Sequence, residues 1–334
     1  PLRVAAVHAA HDGNDLLGVF FSMIRHLGRR HKANAGERAE ILTAKCGLRV
    51  GICALVLYNG NVRGSVPQKE KNAKNKERNA MFRNVIVRRP SRSMIEGITT
   101  ADLGLPDYDL ALRQHDQYIQ AMEACGAKVT VLPAMEEYPD SCFVEDVAVV
   151  TPKCAIITNP GAPSRNGEKA YIVEALRAFY PEENIEYITE GTIEGGDVMM
   201  VGDHYYVGLS RRTNEAGFEN FRRILEKYGM TATAVPVRGV LHLKTGVDYL
   251  SDNRLLAAGE FIGQPVFSQF DETPIAPEEA YAVNSLFVNG KVLVPAGFPK
   301  TEKAVRDMGY ETIRIDTSEY RKIDGGPSCL SLRF

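Results

Sequence analysis

Hydrophobic positions from residue 81 to the C terminus follow two alternating periods. Short β-branched or alternating runs predict strands, whereas apolar residues three or four positions apart predict amphipathic helices. The segment Asp107–Ala124 has the helical pattern, with Pro106 at its entry and Gly126 just beyond its end. A strand pair, a helix and a further strand recur about five times, in units of roughly 40–60 residues. This recurrence favours radial repetition of small αβ modules over one long doubly wound sheet.

The predicted elements cover most of this region. Besides Asp107–Ala124, helices are predicted at Lys169–Phe179, Thr213–Tyr228, from about Pro277, and at Thr301–Met308. Strands are predicted at Asn84–Arg88, Val129–Leu132, Phe143–Thr151, Ala155–Thr158, Ile185–Ile188, Val198–Val201, Tyr205–Leu209, Thr231–Val237, Leu255–Gly259, Leu286–Val288, Val292–Pro295, Thr312–Ile315 and the C terminus. No Gly-x-Gly-x-x-Gly motif follows the first of these strands, so a dinucleotide-binding sheet is not favoured.

Residues 1–80 differ in composition from the rest of the chain. The stretch Pro67–Ala80 has no large apolar side chain and cannot bury enough surface to offset the entropy lost on ordering. Residues 1–80 contain 14 Lys and Arg against 6 Asp and Glu, whereas residues 81–334 contain 26 against 36. A basic excess can indicate RNA or membrane binding, but solvated chain with no nucleic-acid or membrane partner is the preferred interpretation. We therefore predict a poorly ordered extension and linker at 1–80 and an αβ domain at 81–334.

The overall composition is that of a globular protein, with 334 residues, 44% of them hydrophobic and 25% charged. No apolar run approaches the roughly 18 residues that cross a bilayer. The six cysteines, at positions 46, 53, 125, 142, 154 and 329, show no Cys-x-x-Cys spacing, so neither a zinc knuckle nor a disulfide framework is predicted. Reduced thiols and a cytoplasmic location fit this pattern.

Cys329 is the most distinctive chemical feature of the sequence. It follows Gly325, Gly326, Pro327 and Ser328, so a tight turn is predicted directly before it. Such a turn could hold a nucleophilic sulfur out into a cleft. A buried structural cysteine is the alternative, because cysteine also behaves as a small hydrophobe.

Four further groups of polar residues lie at predicted strand ends or turns, where a packed core would not need them. Buried carboxylates are costly unless a cation pairs with them, and three acids surround one apolar run. Ordinary structural explanations remain for each group: turn or edge acids, a Gly-Gly loop, a core histidine and solvated arginines. The groups are Asp140 with Glu145 and Asp146, Glu194-Gly195-Gly196-Asp197, His242 between two leucines, and two turns with Arg165 and Arg212.

One ligand site explains these groups together. A cysteine and a histidine form the usual pair for thiolate attack and proton transfer, and Glu194 would orient the imidazole. Asp146 and Glu145 would hold a planar cation, for which a guanidinium is the natural match. Two arginines imply a carboxylate on the same ligand. A molecule with a guanidinium at one end and a carboxylate at the other is an arginine.

The segments that carry these residues resemble, in the same order, those of the dimethylarginine dimethylaminohydrolase family of the amidinotransferase (pentein) superfamily. The resemblance extends from about Met81 to Phe334 and does not include residues 1–80. The region Ser91–Thr100, which corresponds to the family's lid, aligns only loosely. The matching segments are Pro139–Val150, Asn159–Arg165, Glu194–Val198, Val207–Asn214, Leu241–Lys244 and Asp324–Cys329.

The resemblance implies a fold and a reaction. The fold is a five-bladed αβ propeller of ββαβ modules, which would form the catalytic domain at 81–334. The reaction is hydrolysis of a C–N bond of asymmetric dimethylarginine or monomethylarginine. It yields citrulline plus dimethylamine or methylamine through a covalent thiouronium on cysteine. No cofactor and no functional metal are implied, methylated arginine is the small-molecule partner, and a homodimer stays open.

The resemblance also implies roles for individual residues. It makes Cys329 the nucleophile, His242 the acid and base, and Glu194 the acid that supports the histidine. The remaining residues are implied to contact substrate. Asp140, Glu145 and Asp146 would lie at the guanidinium end, Arg165 and Arg212 at the carboxylate, and Ile323 and Asp324 would contribute through the main chain.

Three alternatives remain at this point. Arginine deiminase shares the fold, but its pattern has an acid two residues after the histidine, where this chain has Lys244. The missing acid would leave room for N-methyl groups. An amidinotransferase would use the same Cys329 and His242 pair. A non-catalytic arginine-binding propeller would keep the acids and arginines without needing Cys329.

Overall fold

Five three-stranded sheets are built from residues 82–334. The computed structural model describes these residues throughout, together with the backbone of two short strands, Ile41–Thr43 (β1) and Ala54–Val56 (β2), which pair antiparallel. The prediction of a poorly ordered extension at 1–80 otherwise lies outside the described residues. It stays a prediction.

Every sheet has the same strand arrangement. Its first strand is antiparallel to the middle strand, and the middle strand is parallel to the third. The strands are Asn84–Arg88 (β3), Lys128–Leu132 (β4), Ala148–Val150 (β5), Ala155–Ile157 (β6), Ile185–Tyr187 (β7), Val198–Val201 (β8), His204–Leu209 (β9), Thr231–Pro236 (β10), Val247–Tyr249 (β11), Arg254–Ala257 (β12), Asp271–Pro274 (β13), Leu286–Val288 (β14), Lys291–Pro295 (β15), Glu311–Ile315 (β16) and Leu332–Arg333 (β17). The sheets are β17-β3-β4, β5-β6-β7, β8-β9-β10, β11-β12-β13 and β14-β15-β16.

A helix connects the two parallel strands in four of the five sheets. The predicted helix at Asp107–Ala124 begins one residue later, because Asp107 is its N-cap and accepts a hydrogen bond from the Leu110 N–H at 2.9 Å. In the sheet β11-β12-β13 two short 3₁₀ turns, Gly259–Phe261 and Pro265–Phe267, replace the helix. The helices are Tyr108–Ala124 (α1), Glu168–Leu176 (α2), Glu215–Lys227 (α3), Leu243–Gly246 (α4), Pro299–Asp307 (α5) and Ser318–Arg321 (α6).

Two predicted elements have a different structure. The predicted strand Phe143–Thr151 begins with a 3₁₀ turn, Val144–Val147, and only β5 is extended. The helix predicted from about Pro277 is also a 3₁₀ segment, Pro277–Val283. Both are short 3₁₀ segments that lead into a first strand, and such short segments have no periodicity that distinguishes them from strand or α-helix.

The hydrophobic core is divided into five clusters that lie between neighbouring sheets. In β3, Val85 and Val87 pack into one cluster, while Ile86 between them packs into the next. In β12, Leu255 and Leu256 divide between two clusters in the same way. Because successive side chains point to opposite faces, each middle strand is buried on both faces. Its sequence is therefore a continuous apolar run.

The last strand of the chain closes the ring. β17 pairs antiparallel with β3, with Leu332 opposite Ile86, so the C terminus supplies the first strand of the sheet that β3 and β4 begin. The predicted α/β fold with five repeated three-stranded modules is confirmed, and four of the five modules have the expected connecting helix. Among residues 82–334, no helix has both the length and the apolar character needed to span a bilayer.

Candidate active site

A small cavity of about 30 Å³ lies where the turns leading into several first strands meet. The chain brings together here nearly all of the residues that the sequence analysis singled out, although they lie up to 189 positions apart. Glu145 is the exception and lines a different cavity. The predicted residues that line the small cavity are Asp140, Asp146, Arg165, Glu194, Arg212, His242, Ile323, Asp324 and Cys329.

His242 and Glu194 form a buried hydrogen-bonded pair. The His242 Nε2 lies 2.7 Å from Glu194 Oε2, and both side chains are buried. Burial alone would lower the pKa of His242, but three neighbouring carboxylates outweigh it and raise that pKa to about 9. These are Asp146, Asp197 and Glu194. Burial would also raise the pKa of Glu194, but the imidazole together with Arg165 and Arg212 outweighs burial and lowers that pKa to about 2. At neutral pH the pair is therefore imidazolium and carboxylate.

Two residues of the Glu194–Asp197 segment hold the imidazole in position. A Cβ on Gly196 would lie only 2.6 Å from the His242 Nδ1, so glycine is required for this close approach. The Asp197 carboxylate accepts a hydrogen bond from the Leu243 N–H at 2.9 Å and fixes the start of α4, directly after His242. Asp197 was not among the predicted functional residues, although it lies in the same motif as Glu194.

Asp146 lies between the pocket and a buried arginine. Its Oδ1 accepts a hydrogen bond from the Gly196 N–H at 3.1 Å, and its Oδ2 pairs with the Arg165 guanidinium. Arg165 is held in addition by both oxygens of Glu168, at 3.0 and 2.9 Å, and by the carbonyl of Phe143 at 2.9 Å. Two carboxylates thus neutralise and fix this cation, and most of its donors are occupied.

Arg212 is the more accessible of the two arginines. Its side chain is 17% exposed, whereas that of Arg165 is 5% exposed. Its Nη1 lies 3.3 Å from Glu194 Oε1, which is a long and weak contact, so most of its donors face the cavity and solvent. The geometry therefore makes Arg212 the better anion-binding group of the pair.

Cys329 lies in a 3₁₀ turn, Ser328–Leu330, immediately before β17. The sequence analysis attributed the turn before it to two glycines, but the residue with a left-handed conformation is Asp324, at φ 58°. Gly326 is needed for another reason, because a Cβ there would lie 2.8 Å from the Asn284 side chain. Burial, with Glu145 and Asp146, raises the pKa of the Cys329 thiol to about 12, while the Gly326 N–H partly opposes this.

A loop covers the outer side of the cavity. Ile98 lines the cavity, and its N–H donates to Asp140 Oδ1 at 3.0 Å. The Thr100 N–H and hydroxyl both donate to Asp324 Oδ2, at 2.6 and 2.9 Å. The loop that the sequence analysis aligned only loosely therefore contacts two of the predicted binding residues. With about 30 Å³ of space, the cavity in this closed state holds little more than a water molecule.

Glu145 faces away from this cavity, which differs from the predicted contact with a guanidinium. Its carboxylate pairs with Lys244 at 2.6 Å and Arg333 at 2.8 Å, and accepts a hydrogen bond from the Ser328 hydroxyl at 2.9 Å. Glu145 and Lys244 line a second cavity of about 660 Å³, which shares no lining residue with the first. We refer to the first as the front pocket and to the second as the rear cavity. Asp146 follows Glu145 yet faces the front pocket.

One group of front-pocket residues has the spacing of a metal site. Asp146, Glu194 and His242 each offer a ligand atom, and these atoms lie within 4.8 Å of one another. Each is already engaged, by Arg165, by Arg212 or within the histidine–carboxylate pair. Such acids also suit a positively charged organic group. The prediction that no functional metal binds stays a prediction.

Comparison with known proteins yields close relatives across most of the chain. A family profile for eukaryotic N,N dimethylarginine dimethylhydrolases matches residues 107–294. An N(G),N(G)-dimethylarginine dimethylaminohydrolase of Pseudomonas aeruginosa is 51% identical over 254 residues, which is 76% of this chain and 100% of that protein. One from Streptomyces coelicolor is 39% identical over 75% of this chain and 96% of its own length.

A solved structure extends this likeness to the fold. The Pseudomonas aeruginosa protein, as a cysteine-to-serine variant complexed with citrulline, superposes with a TM-score of 0.75 at 51% sequence identity. The likeness covers 76% of this chain and 100% of that one.

Proposed function

The chain belongs to the dimethylarginine dimethylaminohydrolase family, and from this premise we propose that Cys329, His242 and Glu194 are its catalytic centre. The protein hydrolyses methylated arginine to citrulline and the corresponding amine. The observation that carries the residue assignment is the front pocket itself. In it a cysteine and a histidine–carboxylate pair line one small cavity with an additional acid.

We propose that the substrate spans the front pocket from Asp146 to Arg212. The guanidinium lies at Asp146, because this carboxylate is beside both His242 and Cys329. The α-carboxylate binds to Arg212, while Arg165 mainly holds Asp146 and has few donors left for the ligand. Asp140 lies at the outer side, beside Ile323 and the covering loop, where it suits the α-ammonium group. The main-chain groups of Ile323 and Asp324 lie at the same end of the substrate.

The reaction begins with loss of the thiol proton. Burial and the neighbouring acids Glu145 and Asp146 raise the pKa of Cys329 to about 12, so the sulfur is mostly protonated at neutral pH. A bound guanidinium adds a positive charge next to the sulfur, favours the thiolate and releases the proton. The substrate therefore helps to activate its own nucleophile.

The thiolate then attacks the guanidinium carbon and forms a C–S bond. The tetrahedral adduct collapses when the C–N bond to the methylated nitrogen breaks, and that nitrogen takes the proton of the His242 imidazolium. The amine leaves, and a thiouronium remains on Cys329. His242 is charged at neutral pH and is therefore already the acid that this step needs.

Water completes the turnover. The neutral His242 accepts a proton from water as its oxygen attacks the thiouronium carbon. The hydroxyl group of the resulting adduct loses its proton to solvent as the C–S bond breaks, so citrulline forms and the thiolate returns. Glu194 holds the imidazole through both steps and stabilises its charged form.

The competing reactions differ in what the front pocket must recognise. Lys244 was the sequence argument against arginine deiminase, and its ammonium is paired with Glu145 away from the front pocket. The guanidinium end therefore lacks the second acid that would bind unmethylated nitrogens. Amidino transfer needs an amine in place of the second water, and the same residues could serve it.

We also propose a reducing, cytoplasmic compartment for the protein. Among the described residues, Cys125, Cys142 and Cys154 are buried free thiols, and Cys329 must be free to react. A homodimer stays a prediction, which light scattering on the purified full chain would test.

One assay separates the proposed function from its competitors. Purified full-length protein is given asymmetric dimethylarginine, monomethylarginine or arginine, and dimethylamine, methylamine, ammonia and citrulline are measured. We expect amine and citrulline from the methylated substrates and little ammonia from arginine. Dominant ammonia release would favour a deiminase, and citrulline-free turnover that needs an added amine would favour a transferase. Running residues 81–334 beside the full chain tests the predicted domain boundary.

A further inference from the structure

Each of the five sheets is entered through a short helical segment that leads into its first strand. Four of these entries supply a catalytic or binding residue to the front pocket. The entry to β14, Pro277–Val283, supplies none of the residues that line the front pocket, and it is followed by the buried Asn284. The other four are Val144–Val147 with Asp146, Gly195–Asp197 after Glu194, α4 after His242, and Ser328–Leu330 with Cys329.

The Asn284 amide connects two of the other entries. Its Oδ1 accepts a hydrogen bond from the Ser328 N–H at 2.8 Å, directly before Cys329. Its Nδ2 donates to the Ser328 hydroxyl at 2.9 Å and to the Lys244 carbonyl at 3.0 Å, two residues after His242. The oxygen faces a donor, and the nitrogen faces a carbonyl that can only accept, so the orientation of the amide is determined by its partners.

These contacts close into a ring. The Ser328 hydroxyl in turn donates a hydrogen bond to Glu145 Oε2 at 2.9 Å, and the Lys244 ammonium contacts Glu145 Oε1 at 2.6 Å. The rear ring therefore consists of Glu145, Lys244, Asn284 and Ser328. Glu145 and Ser328 directly precede Asp146 and Cys329, and Lys244 lies two positions after His242. All four are buried.

We propose that Asn284 is a positioning residue for the reaction, which holds the Cys329 turn and the His242 segment at a fixed distance. The inference rests on the proposed roles of Cys329 and His242. Asn284 is the one member of the rear ring whose own entry turn contributes nothing to the front pocket, so its function is to tie together the turns that do. A buried amide with both donors and its acceptor used is rigid, because any movement leaves a buried polar group unpaired.

Substitution of Asn284 by alanine tests this inference. The change removes both links, and displacements of about 1 Å in a catalytic site lower rates by roughly a hundredfold. We expect kcat to fall by about ten- to a hundredfold, with KM changed less than about threefold, because the front-pocket acids and arginines remain. If Asn284→Ala does not fold, Asn284→Ser, which keeps the site polar and admits water, takes its place.

Ser285→Ala is the matched control. Ser285 is the next residue, is also buried, and its hydroxyl donates only within the same loop, to the Ala282 carbonyl at 2.7 Å. We expect it to lower Tm to a similar degree while kcat stays at the wild-type value. If Asn284→Ala and Ser285→Ala have equal Tm values and lose kcat equally, Asn284 has only a structural role. A wild-type kcat in Asn284→Ala would lead to the same conclusion.

A measurement that needs no substrate tests the positioning role of Asn284 independently of the proposed function. The alkylation rate of Cys329 by iodoacetamide is followed against pH by peptide mass spectrometry in all three proteins. We expect the profile of Asn284→Ala to shift from the wild type and that of Ser285→Ala to coincide with it. If wild-type protein releases no amine, the proposed function fails while this comparison still stands. Three identical profiles would overturn the positioning role.

Discussion

The front pocket and the rear ring are built from the same short segments, but their charged groups are paired to different degrees. In the front pocket, Asp146, Glu194 and His242 carry charges that are only partly compensated, and the pKa values of His242 and Cys329 are raised to about 9 and 12. In the rear ring, Glu145 meets Lys244, Arg333 and a hydroxyl, so its charge is fully paired. The same turns thus expose reactive groups on one side and pair charges on the other.

The difference in charge pairing between the two sides explains how a stable fold can hold a reactive site. Buried charges are costly, and the cost is lowest where each has a partner with good geometry. Complete charge pairing in the rear ring fixes the backbone of the turns from which the front-pocket side chains project. Incomplete charge pairing in the front pocket leaves room for a cationic substrate. Changes to the front-pocket groups should therefore affect chemistry, and changes to the rear ion pairs should affect mainly stability. Loss of the Asn284 amide, which ties the turns together, should also lower kcat.

Replacement of Cys329 by serine is the strongest test of the front side. A serine hydroxyl is far less acidic than a thiol, and we expect turnover to fall by at least about a thousandfold. Binding of dimethylarginine, measured by calorimetry, should persist, because its binding groups are unchanged. Near-normal citrulline release from this variant would reject Cys329 as the nucleophile.

Replacement of Glu194 by glutamine should affect both rate and pH dependence. The imidazole loses its charged partner, and we expect kcat to fall about a hundredfold. The folded pKa of His242, about 9, is above its unfolded value, so its stabilising contribution is complete below about pH 6.5 and is lost as pH rises through 9.

The control for this variant is Glu279→Gln. Glu279 is also buried and hydrogen-bonded, to Thr301 and Lys300, but lies outside the front pocket. Between pH 6.5 and 9 the unfolding free energy of the wild type should fall more steeply than that of Glu194→Gln. The Glu279→Gln slope should follow the wild type. Parallel slopes in all three proteins would contradict the assigned His242–Glu194 coupling.

Replacement of Lys244 by methionine tests the rear side. It leaves the buried Glu145 with one cation fewer, and we expect the protein to lose about 3 kcal/mol of stability in urea unfolding. KM for dimethylarginine should change little. Lys291→Met removes the exposed pair with Glu311 and should lower the stability far less. A large rise in KM for Lys244→Met would mean that Lys244 contacts the ligand after all.

Replacement of Thr100 by valine should have the smallest effect. It removes one exposed hydrogen bond between the covering loop and Asp324, worth about 1 kcal/mol. We expect KM to rise a few fold at unchanged kcat, because the closed loop becomes less populated. Thr231→Val removes a similar exposed contact with His204, elsewhere on the surface, and should leave KM unchanged.

The fold could be predicted largely from the sequence, because the spacing of hydrophobic residues follows directly from which faces of each strand and helix are buried. Middle strands such as β6 and β12 are buried on both faces; β6 is apolar throughout, and β12 is apolar after Arg254. The helix α1 has a capping residue and a glycine just beyond its end. The short entry turns could not be predicted. In Val144–Val147 the assumption of a strand was wrong, although Glu145 and Asp146 do face opposite sides.

The candidate site was predictable to the extent that local motifs mark it. Cys329, His242 and Glu194 each lie in a recognisable segment and line one pocket. Asn284 has no such signal, because its partners Lys244 and Ser328 lie 40 and 44 positions away and only folding brings them together. The reason for Gly326 was hidden in the same way, since it depends on contact with Asn284.

The central claim is that Cys329 and His242 act on one substrate carbon in the front pocket. Its most direct test is rapid quenching of wild type and His242→Ala with dimethylarginine, followed by mass spectrometry of the Cys329 peptide. Without the imidazole to activate water, we expect any adduct on Cys329, equal in mass to substrate minus dimethylamine, to persist far longer in the variant. An adduct on another residue, or equally rapid adduct loss in both proteins, would contradict the account.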